Sequence, residues 1–173
     1  MAATDLRDRL QPALLDRLTD EQPELSRDAD DRRVLNKQQL RQAVLRDLSW
    51  LLNAVQPLGA QAEHAPHAAA SALNYGLPPM AGQLASKVDV PDLEQAIRRA
   101  ILNFEPRILA HSLSVKAVAS GAMIDAHNII EFEIRGLLWA QPIPLELLLR
   151  TQLDLEAGQV KVRDGSPGMG GLR

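Results

Sequence analysis

The triplet Glu105-Pro106-Arg107 brings a carboxylate and a guanidinium together on either side of a proline that fixes the backbone. It lies between Phe104 and Ile108, two residues that should be buried, so its charges need partners. Those partners could form an ion pair or turn-stabilising network inside the fold, or the triplet could clamp a neighbouring chain. Spacing favours the internal network, because a buried charge must be satisfied somewhere but not necessarily across an interface.

Other chemistry finds little support. His64 and His67 are three residues apart, but they flank Pro66 and no Asp, Glu or Cys completes a metal site. Two solvated loop histidines are expected there, and surface positions for His111 and His127 at strand beginnings. The chain has no Cys, no nucleophile elbow and no Gly-rich phosphate loop between a strand and a helix. The terminal Gly168-Met169-Gly170-Gly171 has no following helix to hold an anion. A glycosidase needs two carboxyls, one of them held protonated by an apolar site. Glu105 is the one obvious candidate, and Arg107 would favour its charged form, the wrong direction for an acid. Glu131 and Glu133 belong to the wet face of a strand. The expectation is no catalytic residue, no metal and no cofactor.

Composition is that of an ordinary soluble globular chain. An apolar share of 46% and a charged share of 24% are ordinary for a globular chain, while aromatics at 3% leave the core to Leu, Ile, Val and Ala. With 173 residues, one core with trimmings is expected. The net charge of −3, with signs mixed along the chain, predicts no nucleic-acid partner. No apolar run approaches the roughly 20 residues that cross a bilayer, so direct membrane insertion is not expected. The start, Met1 to Asp8, carries charges where a signal peptide would be apolar.

The elements follow from periodicity. Leu6, Leu10, Leu14 and Leu18 fall four apart with Leu15 beside them, which predicts a short amphipathic helix beginning near Pro12. The charged stretch Thr19 to Arg33 reads as a linker. Leu40, Val44, Leu48, Leu51 and Val55 mark a long helix ended by Pro57 and Gly59, followed by about thirty loop residues. A further helix starts with Asp89 as cap and Pro91 in the first turn, carries Leu93, Ile97, Ile101 and Phe104, and stops at Pro106. Glu94 and Arg98 can pair across one of its turns. Beyond Pro106 the period becomes two: Leu113 to Ala117, Ile130 to Arg135 and Leu147 to Leu155 predict strands, and Ala157-Gly158 turns into a short fourth, Val160 to Val162. The fold class is α+β, with N-terminal helices packed on a C-terminal antiparallel β-meander of three to four strands. Residues 1–33 form the helix and linker, 34–163 the domain, and 164–173 a flexible Gly-rich tail.

Four segments, in order, carry a family resemblance: Leu14-Leu15-Asp16-Arg17-Leu18-Thr19-Asp20-Glu21-Gln22-Pro23, Arg46-Asp47-Leu48-Ser49-Trp50-Leu51-Leu52-Asn53, Ser71-Ala72-Leu73-Asn74-Tyr75-Gly76-Leu77-Pro78 and Phe104-Glu105-Pro106-Arg107. Together they resemble TssE, the baseplate wedge subunits of bacterial type VI secretion systems. The resemblance implies a domain similar to contractile-phage wedge proteins, joined to TssF and TssG and offering a docking platform to the first ring of the sheath proteins TssB and TssC, with TssK as a further partner. It implies a cytoplasmic protein on a baseplate docked at the inner membrane. Glu105, Pro106 and Arg107 then become a structural or partner-binding motif, and Leu14, Leu15 and Leu18 an N-terminal partner-binding set. The edge strands of a meander could accept a strand from another chain. A lysozyme-like label attached to this family makes peptidoglycan hydrolase the competing, disfavoured reading.

Overall fold

The computed structural model describes residues 12–19, 24, 35–82, 88–118, 129–140 and 142–165. The chain before Pro12, nearly all of the linker, His127 and the Gly-rich end beyond Gly165 lie outside the described residues.

Helix α1, Leu14–Leu18, begins where the leucine spacing and Pro12 placed it. Helix α2, Lys37–Asn53, opens with a capping box: Gln39 N donates to the Asn36 side chain at 2.8 Å, and Asn36 N donates to that of Gln39 at 2.9 Å. Its apolar stripe buries Leu40, Val44, Leu48, Leu51 and Leu52. It ends at Asn53, earlier than Pro57, because Ala54 turns extended (φ −82°, ψ 147°). The residues that follow are less irregular than their composition predicts. They hold 3-10 turns at Gly59–His64 and Ala72–Asn74 and a short helix α3, Pro66–Ala69. The loop then folds back on α2. Leu77 N donates to Ala54 O and Gln56 N to Leu77 O, both at 2.9 Å. Gly76, at φ 121°, permits this approach, since a Cβ there would lie 2.3 Å from Ala54 O.

Helix α4, Val90–Phe104, has Asp89 as cap, its side chain accepting from Asp92 N at 3.1 Å. It buries Leu93, Ile97, Ala100 and Ile101. Four strands follow, β1 Ser114–Ala117, β2 Ile129–Leu138, β3 Leu145–Asp154 and β4 Gln159–Asp164, antiparallel in the order β1-β2-β3-β4. His111 lies in a 3-10 turn, Ala110–Ser112, before β1 rather than at a strand beginning. The alternation places Ile130, Phe132, Ile134, Leu147, Leu149 and Leu153 in one core with α2 and α4. Thr151 joins that face, buried, and donates to Phe132 O.

Both outer strands are met by a helix side chain. Glu94 of α4 accepts from Ala117 N at 2.6 Å, in place of the expected pairing with Arg98. At the far edge the Asn53 side chain accepts from Val160 N at 2.9 Å and donates to Val160 O at 2.8 Å, imitating a neighbouring peptide. The sheet therefore does not end in the fully open edges that the meander pattern suggested.

Candidate functional site

Proline at position 106 ends α4, and Glu105 N closes the helix on Ile101 O at 2.8 Å. The chain then runs beside the end of β2: Trp139 N donates to Arg107 O at 2.7 Å and Leu109 N to Leu137 O at 2.8 Å. The triplet is thus clamped between the last turn of a helix and a strand end. Glu105, 3% exposed, is one of the few buried polar or charged residues among those described.

Its charge is answered inside the chain. Arg107 Nε donates to Glu105 Oε1 at 2.7 Å and Nη2 to Oε2 at 2.5 Å, a bidentate grip. The same Nη2 reaches Asp47 Oδ2 of α2 at 2.6 Å. Asp47 Oδ1 in turn accepts from Arg46 Nε at 2.9 Å, and Arg46 Nη1 reaches Asp16 Oδ1 of α1 at 2.5 Å. Three carboxylates and two guanidiniums form one chain of contacts from α1 to the end of α4. Burial works against the charge of Arg107, yet the hydrogen bonds and fields of Glu105 and Asp47 outweigh it and raise its pKa above the ordinary value. The hydrogen bond that Arg46 donates to Asp16 is the largest influence raising the pKa of Arg46, against a smaller opposing effect of burial.

Beside this network lies a groove of about 360 Å³, lined by Ala13, Trp50, Tyr75 and Pro106 together with Asp47, Glu105 and Arg107. Tyr75 packs edge-on to Phe104 with ring centroids 5.2 Å apart, and burial, then the fields of Asp47 and Glu105, raises its pKa. Arg46 lies over the Trp50 ring at 5.1 Å. Each segment that carried the resemblance sends a residue to the network or the groove: Asp16, then Arg46, Asp47 and Trp50, then Tyr75, then the triplet.

Of the site residues expected from sequence, Glu105, Pro106 and Arg107 line this groove, while Leu14 and Leu18 are 70% and 73% exposed and Leu15 is exposed beside them. Asp47 went unassigned as a partner for Arg107. A signal existed: Asp47 is three residues after Val44 and four before Leu51, at the border of the apolar stripe, where a carboxylate requires a cation. Asp16 had no such signal, since nothing in its spacing points to Arg46 thirty residues on.

Asp47 also revises the count of carboxyls, because a second one does stand beside Glu105. Both accept from Nη2 of Arg107, so the space a glycosidic oxygen would need between them is filled by that nitrogen. Among the described residues no group of three His, Asp or Glu could hold a metal, His64, His67 and His111 are exposed, and no helix is long and apolar enough to cross a membrane.

A family model described as Baseplate wedge protein gp25 matches residues 38–143, which takes in α2, the central loop, α4, the triplet and the first two strands. No curated protein and no solved structure gives a significant match.

Proposed function

Because the chain belongs to the baseplate wedge protein gp25 family, we propose that it is the TssE-type wedge subunit of a type VI secretion baseplate. In this reading it is a cytoplasmic, non-enzymatic protein that binds TssF and TssG, with TssK nearby, and gives the first ring of TssB and TssC a place to dock. One observation carries it: the segments of wedge resemblance converge on one ion-pair network, closed within the chain, and on the groove beside it, while apolar side chains nearby stay exposed. Trp50 lines that groove, Leu14 and Leu18 follow Ala13 of its rim in sequence, and Trp139, whose backbone N–H donates to Arg107 O, is 47% exposed. Exposed leucines and tryptophans around a rigid centre suit a surface completed by partner chains.

Copurification tests it. The tagged full chain is expected to recover TssF and TssG from cells, and Leu14→Ser/Leu15→Ser/Leu18→Ser to lose them while remaining folded. Recovery of neither by the wild-type chain overturns the wedge assignment. Peptidoglycan turnover that disappears in Glu105→Gln would instead favour the hydrolase.

Sheath docking by strand addition would use β1 or β4, since β2 and β3 are paired on both sides. In β4 the backbone of Val160 faces outward to Asn53, so that of Val162, two residues on, faces outward as well. Val162→Pro removes an outward donor with little harm to the ladder. It is expected to fold, to keep TssF and TssG, and to fail in sheath assembly. Normal assembly would rule out strand addition at β4.

A further inference from the structure

The sheet face turned away from the helices carries the residues that alternate with the core, and the register arranges them in rows across the strands. One row runs Lys116, Glu133, Arg150, Arg163, and the next Glu131, Gln152, Lys161. Arg150 and Arg163 are directly opposite each other, both exposed, an arrangement that opposes folding because like charges face across a strand pair. Lys161 follows on β4, two residues from Arg163, or about 7 Å along the strand. The nearby anions are engaged elsewhere. Glu133 holds Arg135 at 2.6 Å, Glu131 accepts from Gln152 at 2.7 Å, and Asp154 accepts from the backbone N–H groups of Glu156 and Ala157. No ion pair to Arg150, Lys161 or Arg163 occurs among the described residues.

This concentration of cations runs against the net charge of −3 of the whole chain. We propose that the patch of Arg150, Lys161 and Arg163 is a docking surface for an acidic segment of a partner protein, which would lay two or three carboxylates across the β3-β4 hairpin. Two adjacent guanidiniums present paired donors that match carboxylates in shape. The patch is compact and bordered by Glu131 and Glu133, so a short run of carboxylates fits it, while a continuous phosphate backbone would cross those two anions. The surface is separate from the groove beside Glu105, and the proposal stands whichever partners occupy that groove.

Substitution of Arg163 by Glu provides the test, because it should separate binding from stability. Arg163→Glu turns the like-charge pair with Arg150 into an opposite one, so the full chain is expected to melt no lower than wild type. Its affinity for a polyglutamate peptide, followed by chemical-shift changes in the labelled protein, is expected to fall about fivefold or more. In the wild type those changes should centre on Arg150, Lys161 and Arg163 and fade with added salt. Should Arg163→Glu melt lower, Lys161→Glu, opposite the neutral Gln152, carries the same comparison. Peptide affinity unchanged in the variant, or shifts centred elsewhere, overturns the proposal. Tighter binding of a single-stranded oligonucleotide of matched charge overturns it too, and gives the face to nucleic acid.

Discussion

The triplet at the end of α4 and the leucines of α1 lie at the same end of the molecule, joined by one run of charged contacts, yet their surroundings are inverted. Glu105 is 3% exposed and Arg107 meets two carboxylates, so the charges are inside and closed. Leu14 at 70% and Leu18 at 73% are outside with nothing over them among the described residues. A globular chain ordinarily does the reverse. The difference separates two tasks. The buried network is finished within this chain and holds α2, α4 and the end of β2 in one geometry. The exposed leucines are unfinished, and among the described residues they rest on that geometry through the ion pair of Asp16 with Arg46.

The sharpest way to break this contrast is Arg107→Ala. It leaves Glu105 buried without its cation and Asp47 with Arg46 alone, and should cost about 3 kcal/mol of stability, measured by urea unfolding of the isolated protein. A loss under about 1 kcal/mol would mean that the network is completed by a partner, and the two regions would no longer differ. Asn53→Ala is a neutral comparison at the sheet edge. It removes side-chain hydrogen bonds to Ser49 O and to the backbone N–H and C=O of the buried Val160, and should cost about 2 kcal/mol by the same measurement. Asp16→Ala breaks the tie between the two regions. Arg46 is 35% exposed, so stability should fall by less than about 1 kcal/mol, while recovery of TssF and TssG should weaken as α1 loses its seat. The smallest effect on stability, near zero, is expected for Leu14→Ser/Leu15→Ser/Leu18→Ser, whose melting temperature should match the wild type. A drop of several degrees would place those leucines in the domain core and remove the distinction.

How much of this could be read in advance differed between local pattern and long-range contact. The stripe Leu40, Val44, Leu48, Leu51 repeats at the helical period, and the alternation around Phe132 and Leu149 repeats at two, so helix, strand and buried face followed from spacing. Asp89 before Pro91 fixed a helix start, and Pro106 its stop. The thirty residues after α2 were less legible, because Ala-rich segments interrupted by Pro and Gly form short turns whose stability comes from what they touch. Tyr75 is ordered by Phe104, and Gly76 by its approach to Ala54. Side chains with several possible partners were the least legible. Glu94 had Arg98 within reach on its own helix, yet its carboxylate lies on a backbone N–H of β1 that would otherwise be unpaired.

By itself the sequence determined the α+β class, the element order, the core faces and the fact that Glu105 and Arg107 had to be answered by charge, since each of these follows from residue type and local period. Only the tertiary structure decided which charge answers them. Asp47 lies sixty positions from Arg107, and nothing local links the two until α2 and α4 pack on the same sheet. The same packing decided that Asn53 caps Val160 at one edge and Glu94 touches the other, and that Arg150 faces Arg163. Hydrophobic burial is nondirectional and readable as a pattern, whereas an ion pair or an edge bond depends on positions within about 3 Å, which are fixed when the elements come together.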